Sequence, residues 1–241
     1  MILKPKYSSK EIRDLYAKGK CADEKIHDYF MYFIFRPLSF YPSALLASLG
    51  ISANTITISG LMIALSLPLF PWLEIKGHHH WIFILTFIFQ ILDCVDGNLA
   101  RLHTSNNKLG QYLDSFTGKV YHLSLYMTCA WMAVLEHRIT WSLSAILALI
   151  TFALFIWGRE SRIYVKFYCL ESGTPLINQK IGIKNLVFAA IELSPFLLWT
   201  AGFFNFAFEL SLMYFLHATG IFLASQWMIL QKLRTQKKIS D

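Results

Sequence analysis

Long apolar stretches constrain this chain more than any other feature of its sequence. We identify six of them, at approximately 51–73, 81–102, 110–135, 141–168, 185–205 and 207–231. An α-helix needs about 20 predominantly apolar residues to cross the hydrocarbon core of a bilayer. Hydrophobic residues make up 55% of the chain and charged residues only 15%, which is too apolar for an ordinary soluble domain. The sequence therefore predicts an all-α, polytopic membrane protein with six transmembrane helices.

The positive charges predict how these helices are oriented. Lys and Arg residues cluster at both ends of the chain, beside the turn at 103–109 and between residues 159 and 184. The positive-inside rule places such regions in the cytoplasm. We therefore expect an integral membrane protein with both termini cytoplasmic, in the inner or plasma membrane if the source is bacterial. The net charge of +7 is a topology signal with some attraction to anionic lipid, and it does not indicate a nucleic-acid partner.

The absence of repeats and of low-complexity linkers predicts one membrane domain over residues 1–241. Residues 1–49 are expected to form a cytoplasmic tail with an interfacial amphipathic helix. The apolar stretch DYFMYFIF in this region is bounded by Asp28 and Arg36 and is too short to span a bilayer. Residues 50–231 are expected to form the six-helix bundle, and residues 232–241 a basic tail.

Three aspartates interrupt the second and third apolar stretches, in the run DCVDGNLARLHTSNNKLGQYLDSFTG at 93–118. A charged side chain in a bilayer costs roughly 2.5–3.5 kcal/mol on insertion scales and is a functional candidate by default. Asp93 and Asp96 share a helix face, and Asp114 lies one turn after Gly110 on the next helix. A short polar turn makes these helices antiparallel neighbours, so we expect the carboxylates to converge near the cytoplasmic end. Such oxygen ligands select hard cations, for example Mg²⁺ or Mn²⁺.

The spacing of this run resembles the CDP-alcohol phosphotransferase family, which carries D-x2-D-G-x2-A-R-x8-G-x3-D-x3-D across its second and third spans. The chain matches this pattern in register at Asp93, Asp96, Gly97, Ala100, Arg101, Gly110 and Asp114. The similarity extends to the six spans, to the cytoplasmic amphipathic segment and to LGISANTITISG before the first span. That last stretch looks like the family's G-x-x-P-N-x-x-T, with Ala53 in place of proline and with Asn54 and Thr57 retained.

The resemblance implies transfer of a phospho-alcohol, phosphatidyl-like group from a CDP-alcohol or CDP-lipid to an acceptor hydroxyl, with loss of CMP. Such a reaction would serve phospholipid or glycoconjugate synthesis. It implies two metal ions, Mg²⁺ or Mn²⁺, with Asp93, Asp96 and Asp114 as ligands. Membrane lipid is a further partner, and a homodimer stays open. The implied nucleotide-binding positions are Asn54, Thr57, Gly97, Ala100, Arg101 and Gly110.

Gly118 stands where the family has its fourth aspartate, which is both a metal ligand and the proposed base for the acceptor hydroxyl. Three explanations are open. His122 lies four residues later on roughly the same helix face, and a neutral imidazole can act as general base near pH 7. Alternatively, Gly118 makes room for a bulkier acceptor that brings its own ionised or acidic nucleophile. In the third, the protein has lost turnover and only binds nucleotide or lipid. A hydrogen-bonded His122 without chemistry is an equally open interpretation.

Further candidates lie outside the motif. Arg159 and Arg162 can receive an anionic acceptor or a lipid phosphate, since guanidinium groups pair bidentately with phosphates; alternatively they form an interfacial charge cluster. Glu192 either lines the acceptor cavity or belongs to a structural ion pair. A remote alternative for the protein is a divalent-cation transporter. Its carboxylates should lie near the membrane midplane on broken helices, whereas Asp96 lies about one turn from Arg101 at the cytoplasmic end.

Overall fold

The computed structural model describes residues 7–21, 24–25, 28–102, 108–168 and 193–240. Within this part the chain is almost entirely helical and contains no β-strand, which confirms the predicted all-α class for the described residues. The helices, in chain order, are α1 (Ser9–Gly19), a π-helical turn (Met31–Phe35), α2 (Arg36–Ser48), α3 (Ala53–Ser66), α4 (Leu69–Trp72), α5 (His78–Leu102), α6 (Lys108–Leu135), α7 (Trp141–Tyr168), α8 (Ser194–Phe204) and α9 (Ala207–Ser240).

Four helical stretches of the described residues are long and apolar enough to cross a membrane. They are Ala53–Trp72, His78–Leu102, Trp141–Ser161 and Ala207–Gln231. These stretches coincide with the first, second, fourth and sixth predicted spans. The finding supports an integral membrane protein.

The other two predicted spans are not among these four. The third corresponds to α6, which is long enough but carries Gln111, Asp114 and Lys119 in its first half. The fifth, 185–205, lies partly outside the described residues, and its described part is the short apolar helix α8. The six-span topology and the cytoplasmic position of both termini therefore stay predictions.

The segment before the first span is helical and folds back on itself. At the start of α1, Ser8 Oγ accepts a hydrogen bond from the Glu11 amide at 3.2 Å, and the Glu11 carboxylate accepts one from the Ser8 amide at 2.8 Å. This reciprocal capping box satisfies amides that a helix start leaves unpaired. Further along α1, Ile12 and Tyr16 pack against α2.

One face of α2 stays apolar and exposed. Leu38, Tyr41 and Leu45 are spaced to share a helix face, and Tyr41 is 73% exposed. An exposed apolar face beside polar neighbours is typical of a helix that lies in the membrane interface. The interfacial position of this segment remains a prediction, and this face supports it.

The opposite face of α2 packs onto the bundle. Ala47 of α2, Ile56 of α3, and Val95 and Leu99 of α5 form one buried cluster. This cluster connects the N-terminal segment to the last turns of α5, which carry the aspartates. The packing therefore brings residues that precede the first span next to the motif.

The bundle core lies between α3, α5, α6, α7, α8 and α9. Phe89 of α5 and Tyr121 of α6 stack with ring centroids 3.8 Å apart and planes 4° apart. Gly60 of α3 lies close to this stack, and an added Cβ there would be in ordinary van der Waals contact with the Phe89 ring at 3.6 Å. The close approach places Thr57, almost one turn earlier on α3, beside the motif of α5.

Candidate active site

A cleft of about 360 Å³ opens between the N-terminal segment, α3, α5 and α6. Every residue that the sequence predicts as a metal ligand or nucleotide contact lines it. These residues are Asn54, Thr57, Asp93, Asp96, Gly97, Ala100, Arg101, Gly110 and Asp114. The fold therefore brings the predicted positions of three helices to one cavity. Their binding roles stay predictions.

Asp96 is the most enclosed of the three aspartates. Its side chain is buried, and the Thr57 hydroxyl donates a hydrogen bond to its Oδ2 at 2.7 Å. The same hydroxyl lies 3.1 Å from the Ala53 carbonyl of the preceding turn. Thr57 therefore orients a carboxylate of the motif, a role different from the nucleotide contact implied by the resemblance.

Asp93 and Asp114 line the cleft with carboxylates that are not engaged by the described residues through any hydrogen bond or ion pair. The negative charges of the two residues act on each other across the cleft. The ammonium of Lys20 acts on both of them from the N-terminal segment. The cavity thus combines carboxylate oxygens on α5 and α6 with the positive charge of Lys20 on the N-terminal segment.

The donor chemistry of this cleft fits a hard divalent cation, because carboxylate oxygens are the ligands that Mg²⁺ and Mn²⁺ prefer. The arrangement is open: over the described ranges, no group of three or more His, Cys, Asp or Glu side chains is positioned to enclose an ion. Mg²⁺ commonly keeps several waters and takes substrate phosphates as ligands, so it does not need an all-protein cage. The three aspartates therefore suit an ion shared with an anionic substrate, and metal binding stays a prediction.

The N-terminal segment forms one wall of the cleft. This wall carries two cations, Lys20 and Arg36, which sequence reasoning missed. Arg36 is buried, and its Nε and Nη2 donate to the two oxygens of Glu24, with the Nε–Oε2 distance at 3.0 Å. Its Nη1 donates to the Cys94 carbonyl at 3.0 Å. Arg36 therefore ties the N-terminal segment to the backbone of α5 immediately after Asp93. A single cation at the end of an aromatic run was the signal that could have revealed it.

Glu24 is the buried anion of this wall. The Tyr16 hydroxyl donates to its Oε2 at 2.8 Å, and the Lys20 ammonium lies 3.1 Å from its Oε1. Burial alone would raise the pKa of Glu24, but the hydrogen bonds and positive charge of Arg36, together with Lys20, hold that pKa below its ordinary value. The carboxylate is therefore ionised and shared by several donors.

Asn98 joins this wall to the motif. Its Nδ2 donates to the hydroxyls of Ser39 and Ser43 on α2, both at 3.0 Å, and its Oδ1 accepts from Arg101 Nη2 at 2.9 Å. An added Cβ on Gly97 would lie 3.4 Å from the same Arg101 nitrogen. Gly97 therefore leaves the space in which the Arg101 guanidinium lies. A buried amide inside an apolar helix was the sequence signal for Asn98.

Gly118 and His122 lie on α6 outside the lining of the cleft. Among the described residues, no heavy atom lies within 4 Å of a Cβ added to Gly118, so this part of the chain leaves the position beside it open. His122 Nδ1 donates to the Gly118 carbonyl at 2.7 Å, and its ring stacks on Phe155 of α7 with centroids 4.4 Å apart. The structure therefore does not bring His122 to the aspartates. Its role as base stays an untested prediction.

Of the remaining candidates, Arg159 is the one whose side chain the structure describes. Arg159 of α7 is half-buried and does not line the cleft, although its charge acts on Asp114. Its neighbour Glu160 forms an ion pair with Lys119 of α6 at 2.8 Å. The side chain of Arg162 and the whole of Glu192 lie outside the described residues. Their acceptor roles stay predictions.

Comparison with known proteins identifies the family to which this chain belongs. A sequence model of the CDP-alcohol phosphatidyltransferase family matches residues 51–230. The phosphatidylinositol phosphate synthase of Corynebacterium glutamicum is 28% identical over 95 residues, which cover 39% of this chain and 42% of that relative. The aligned part thus spans less than half the length of the relative. Because the family match extends over more than half of the chain and includes all three aspartates, this protein belongs to the CDP-alcohol phosphatidyltransferase family.

Proposed function

We propose that this protein transfers a phospho-alcohol, phosphatidyl-like group from a CDP-alcohol to an acceptor hydroxyl and releases CMP, in phospholipid or glycoconjugate synthesis. The observation that carries the proposal is the convergence of Asp93, Asp96 and Asp114 with the predicted nucleotide positions in one cleft. Membership of the family and the similarity to a phosphatidylinositol phosphate synthase support phospholipid synthesis in general.

The reaction exchanges one phosphorus–oxygen bond for another. The acceptor oxygen bonds to the phosphorus that bears the alcohol, while the bond from that phosphorus to the bridging oxygen of CMP breaks. The electron pair of the broken bond leaves with CMP, and the hydroxyl proton passes to a base. The negative charge of the diphosphate must be neutralised for this displacement. Mg²⁺ or Mn²⁺ supplies that neutralisation when bound, and Asp93, Asp96 and Asp114 would hold it.

The other residues of the cleft orient the aspartates and bind the nucleotide. Thr57 fixes the rotamer of Asp96 through its 2.7 Å hydrogen bond. Gly97 and Ala100 present small side chains, so a nucleotide can approach the backbone of α5 closely. Arg101, oriented by Asn98, places a guanidinium at the cleft, where it can pair with phosphate oxygens.

The space beside Gly118 helps to identify the group that takes the proton of the acceptor hydroxyl. Because no described atom lies within 4 Å of an added Cβ, this position can take part of a bulky acceptor. His122 is turned toward Phe155, so the geometry favours an acceptor that brings its own ionised or acidic group over His122 as base. The acceptor is thus proposed to be an alcohol with an anionic substituent.

A non-catalytic protein that binds nucleotide or lipid is the second candidate. Gly118 favours it, because the carboxylate expected at this position of the motif is missing. A divalent-cation transporter receives no support from the family match or from the position of the cleft at the last turns of α5.

Release of CMP by the full chain in lipid nanodiscs tests the proposal. CDP-diacylglycerol and Mg²⁺ would be offered with a panel of plain and phosphorylated polyols, and each reaction repeated in excess EDTA. We expect Mg²⁺-dependent CMP release with at least one phosphorylated acceptor. Binding of CDP-diacylglycerol without release for any acceptor would establish the non-catalytic alternative. Failure to bind CDP-diacylglycerol would refute both.

A further inference from the structure

We infer that the N-terminal segment forms part of the donor site, and that the Lys20 ammonium contacts the diphosphate of the bound CDP-alcohol. This inference rests on the proposed function and extends the donor site to a residue that precedes the family match at 51–230. The sequence motif does not include this residue, which lies in a polar stretch without a recognisable pattern.

The position of Lys20 is the first observation. Its side chain lines the same cleft as the three aspartates, and it is 48% exposed, so the ammonium can reach a ligand in the cavity. Its charge acts on Asp93 and on Asp114, which lie on different helices. Lys20 therefore faces the region between the two predicted metal-binding helices.

The second observation is that Lys20 is a surplus cation. Its partner Glu24 already accepts two hydrogen bonds from the buried guanidinium of Arg36 and one from the Tyr16 hydroxyl. One carboxylate thus faces two cations, and the charge of Arg36 suffices to balance it. An ion pair to a half-exposed lysine contributes little to stability. The ammonium can therefore turn from Glu24 to an anionic ligand at small cost.

The third observation concerns the other cations of the cleft. The nitrogens of Arg36 are engaged with Glu24, with the Cys94 carbonyl and with Asn98. Arg101 Nε, by contrast, is buried and has no hydrogen-bond partner among the described residues. A flexible ammonium and an unsatisfied guanidinium nitrogen on the lining of one cavity suit the several oxygens of a diphosphate.

The backbone of Lys20 is held in place relative to the motif. Its amide donates to the Tyr16 carbonyl at 3.1 Å and closes the end of α1. The Tyr16 ring packs against Phe40 of α2, with centroids 5.7 Å apart. Because Arg36 ties α2 to the Cys94 carbonyl, the distance from Lys20 to the aspartates is set by packing.

Affinity for CDP and for cytidine tests the inference, because the two probes differ only in the diphosphate. The full chain in nanodiscs would be titrated with each probe in Mg²⁺ by calorimetry. We expect Lys20→Met to weaken CDP binding by about tenfold or more, the scale of one charge-assisted hydrogen bond, and to leave cytidine binding unchanged. Lys20→Arg should restore most of the CDP affinity. Lys18→Met removes the same charge from an exposed position two residues away and should bind CDP as the wild type does.

The outcomes separate this inference from the proposed function. A wild-type protein that binds no CDP would refute the proposed function itself. Wild-type CDP affinity in Lys20→Met would overturn the inference alone. Equal loss of CDP and cytidine binding, or equal loss in Lys18→Met, would also overturn it, since neither pattern comes from a direct diphosphate contact. With active protein, Lys20→Met should raise KM for the donor.

Discussion

The Thr57 hydroxyl lies 2.7 Å from Oδ2 of Asp96, so the start of α3 is hydrogen-bonded to the middle aspartate of the motif. The resemblance implied a nucleotide contact for Thr57. The bond adds a second role, because a group that fixes the orientation of a predicted metal-ligating carboxylate would tune the affinity of the site, and the nucleotide contact stays a prediction. Asp96 is therefore pre-oriented, whereas Asp93 and Asp114 line the cleft without such a bond from the described residues.

Replacing Thr57 tests this relationship. Thr57→Val keeps the volume but removes the hydrogen bond to Asp96, and we expect Mg²⁺-dependent CDP affinity to fall roughly 10–100-fold, the usual range for an outer-shell partner. Calorimetric titration with Mg²⁺ at constant CDP measures it. Thr86→Val is the matched control, because Thr86 is equally buried but bonds only to carbonyls of its own helix α5. Identical affinities of both variants would contradict the role of Thr57.

Asp93→Asn, Asp96→Asn and Asp114→Asn should each abolish Mg²⁺-dependent CDP binding and any CMP release. Each change removes an anionic ligand and keeps the size of the side chain. Circular dichroism should show unchanged helix content, since Asp93 and Asp114 make no hydrogen bond or ion pair with the described residues. Wild-type Mg²⁺ dependence in all three variants would show that these residues are not ligands. Glu160→Gln, which affects only the surface pair with Lys119, serves as control.

Gly118→Asp should fold normally and raise Mg²⁺ affinity. The added Cβ meets no atom of the described residues within 4 Å, and the carboxylate restores the ligand that the motif lacks. We also expect faster CMP release with a simple alcohol, because the new carboxylate can accept its proton. Gly118→Asn, similar in size but neutral, is the control for shape. Equal Mg²⁺ affinity of the Asp and Asn variants would argue against a metal position near residue 118.

His122→Phe should preserve CMP release and its pH profile. The ring stacks on Phe155 and lies outside the cleft lining, and phenylalanine can keep that stacking. If His122 were instead the base, the rate would drop by a factor on the order of 10²–10⁴. The rate of the wild type would also fall as the pH drops through the pKa of that histidine. Initial rates measured from acid to neutral pH distinguish the two results.

Acid should loosen the N-terminal segment through Glu24. Because the pKa of Glu24 in the folded protein lies below its ordinary value of 4.5, the unfolded chain binds the proton more tightly. The carboxylate therefore stabilises the fold fully above that ordinary pKa, and this contribution is lost as the pH falls through the lower, folded value. Hydrogen-exchange protection of α1, corrected for the intrinsic pH dependence of amide exchange, should fall in that acid range for the wild type. Glu24→Gln should be less stable at neutral pH and lack this step, whereas Asp14→Asn, at an exposed position of α1, should behave as the wild type.

The local features of this protein were predictable. Apolar stretches of sufficient length specify helices that can cross a membrane, and four of the six predicted spans reappear as such in the described residues. The positions of Asp93, Asp96 and Asp114 likewise predicted one shared site, because the first two share a helix face and a short polar turn makes the helix of Asp114 an antiparallel neighbour. All three line the cleft.

Long-range contacts were not predictable in the same way. Lys20 and Arg36 reach the cleft only because α1 and α2 pack on the end of α5, and no local pattern encodes which distant helix a cation meets. His122 follows Gly118 by one turn, yet it packs on Phe155 because α7 covers that side of α6.

The sequence by itself thus determined which segments are helical, which helices are apolar and which faces carry carboxylates, since these depend on neighbours within a few residues. Only the packing of helices distant in sequence makes Thr57 bond to Asp96 and makes Glu24 and Arg36 connect the N-terminal segment to α5. The same packing leaves Gly118 without a neighbour among the described residues within 4 Å of an added Cβ. The reason is physical. The rotation of a helix about its axis and the choice of its neighbours follow from side-chain packing between segments far apart in the chain.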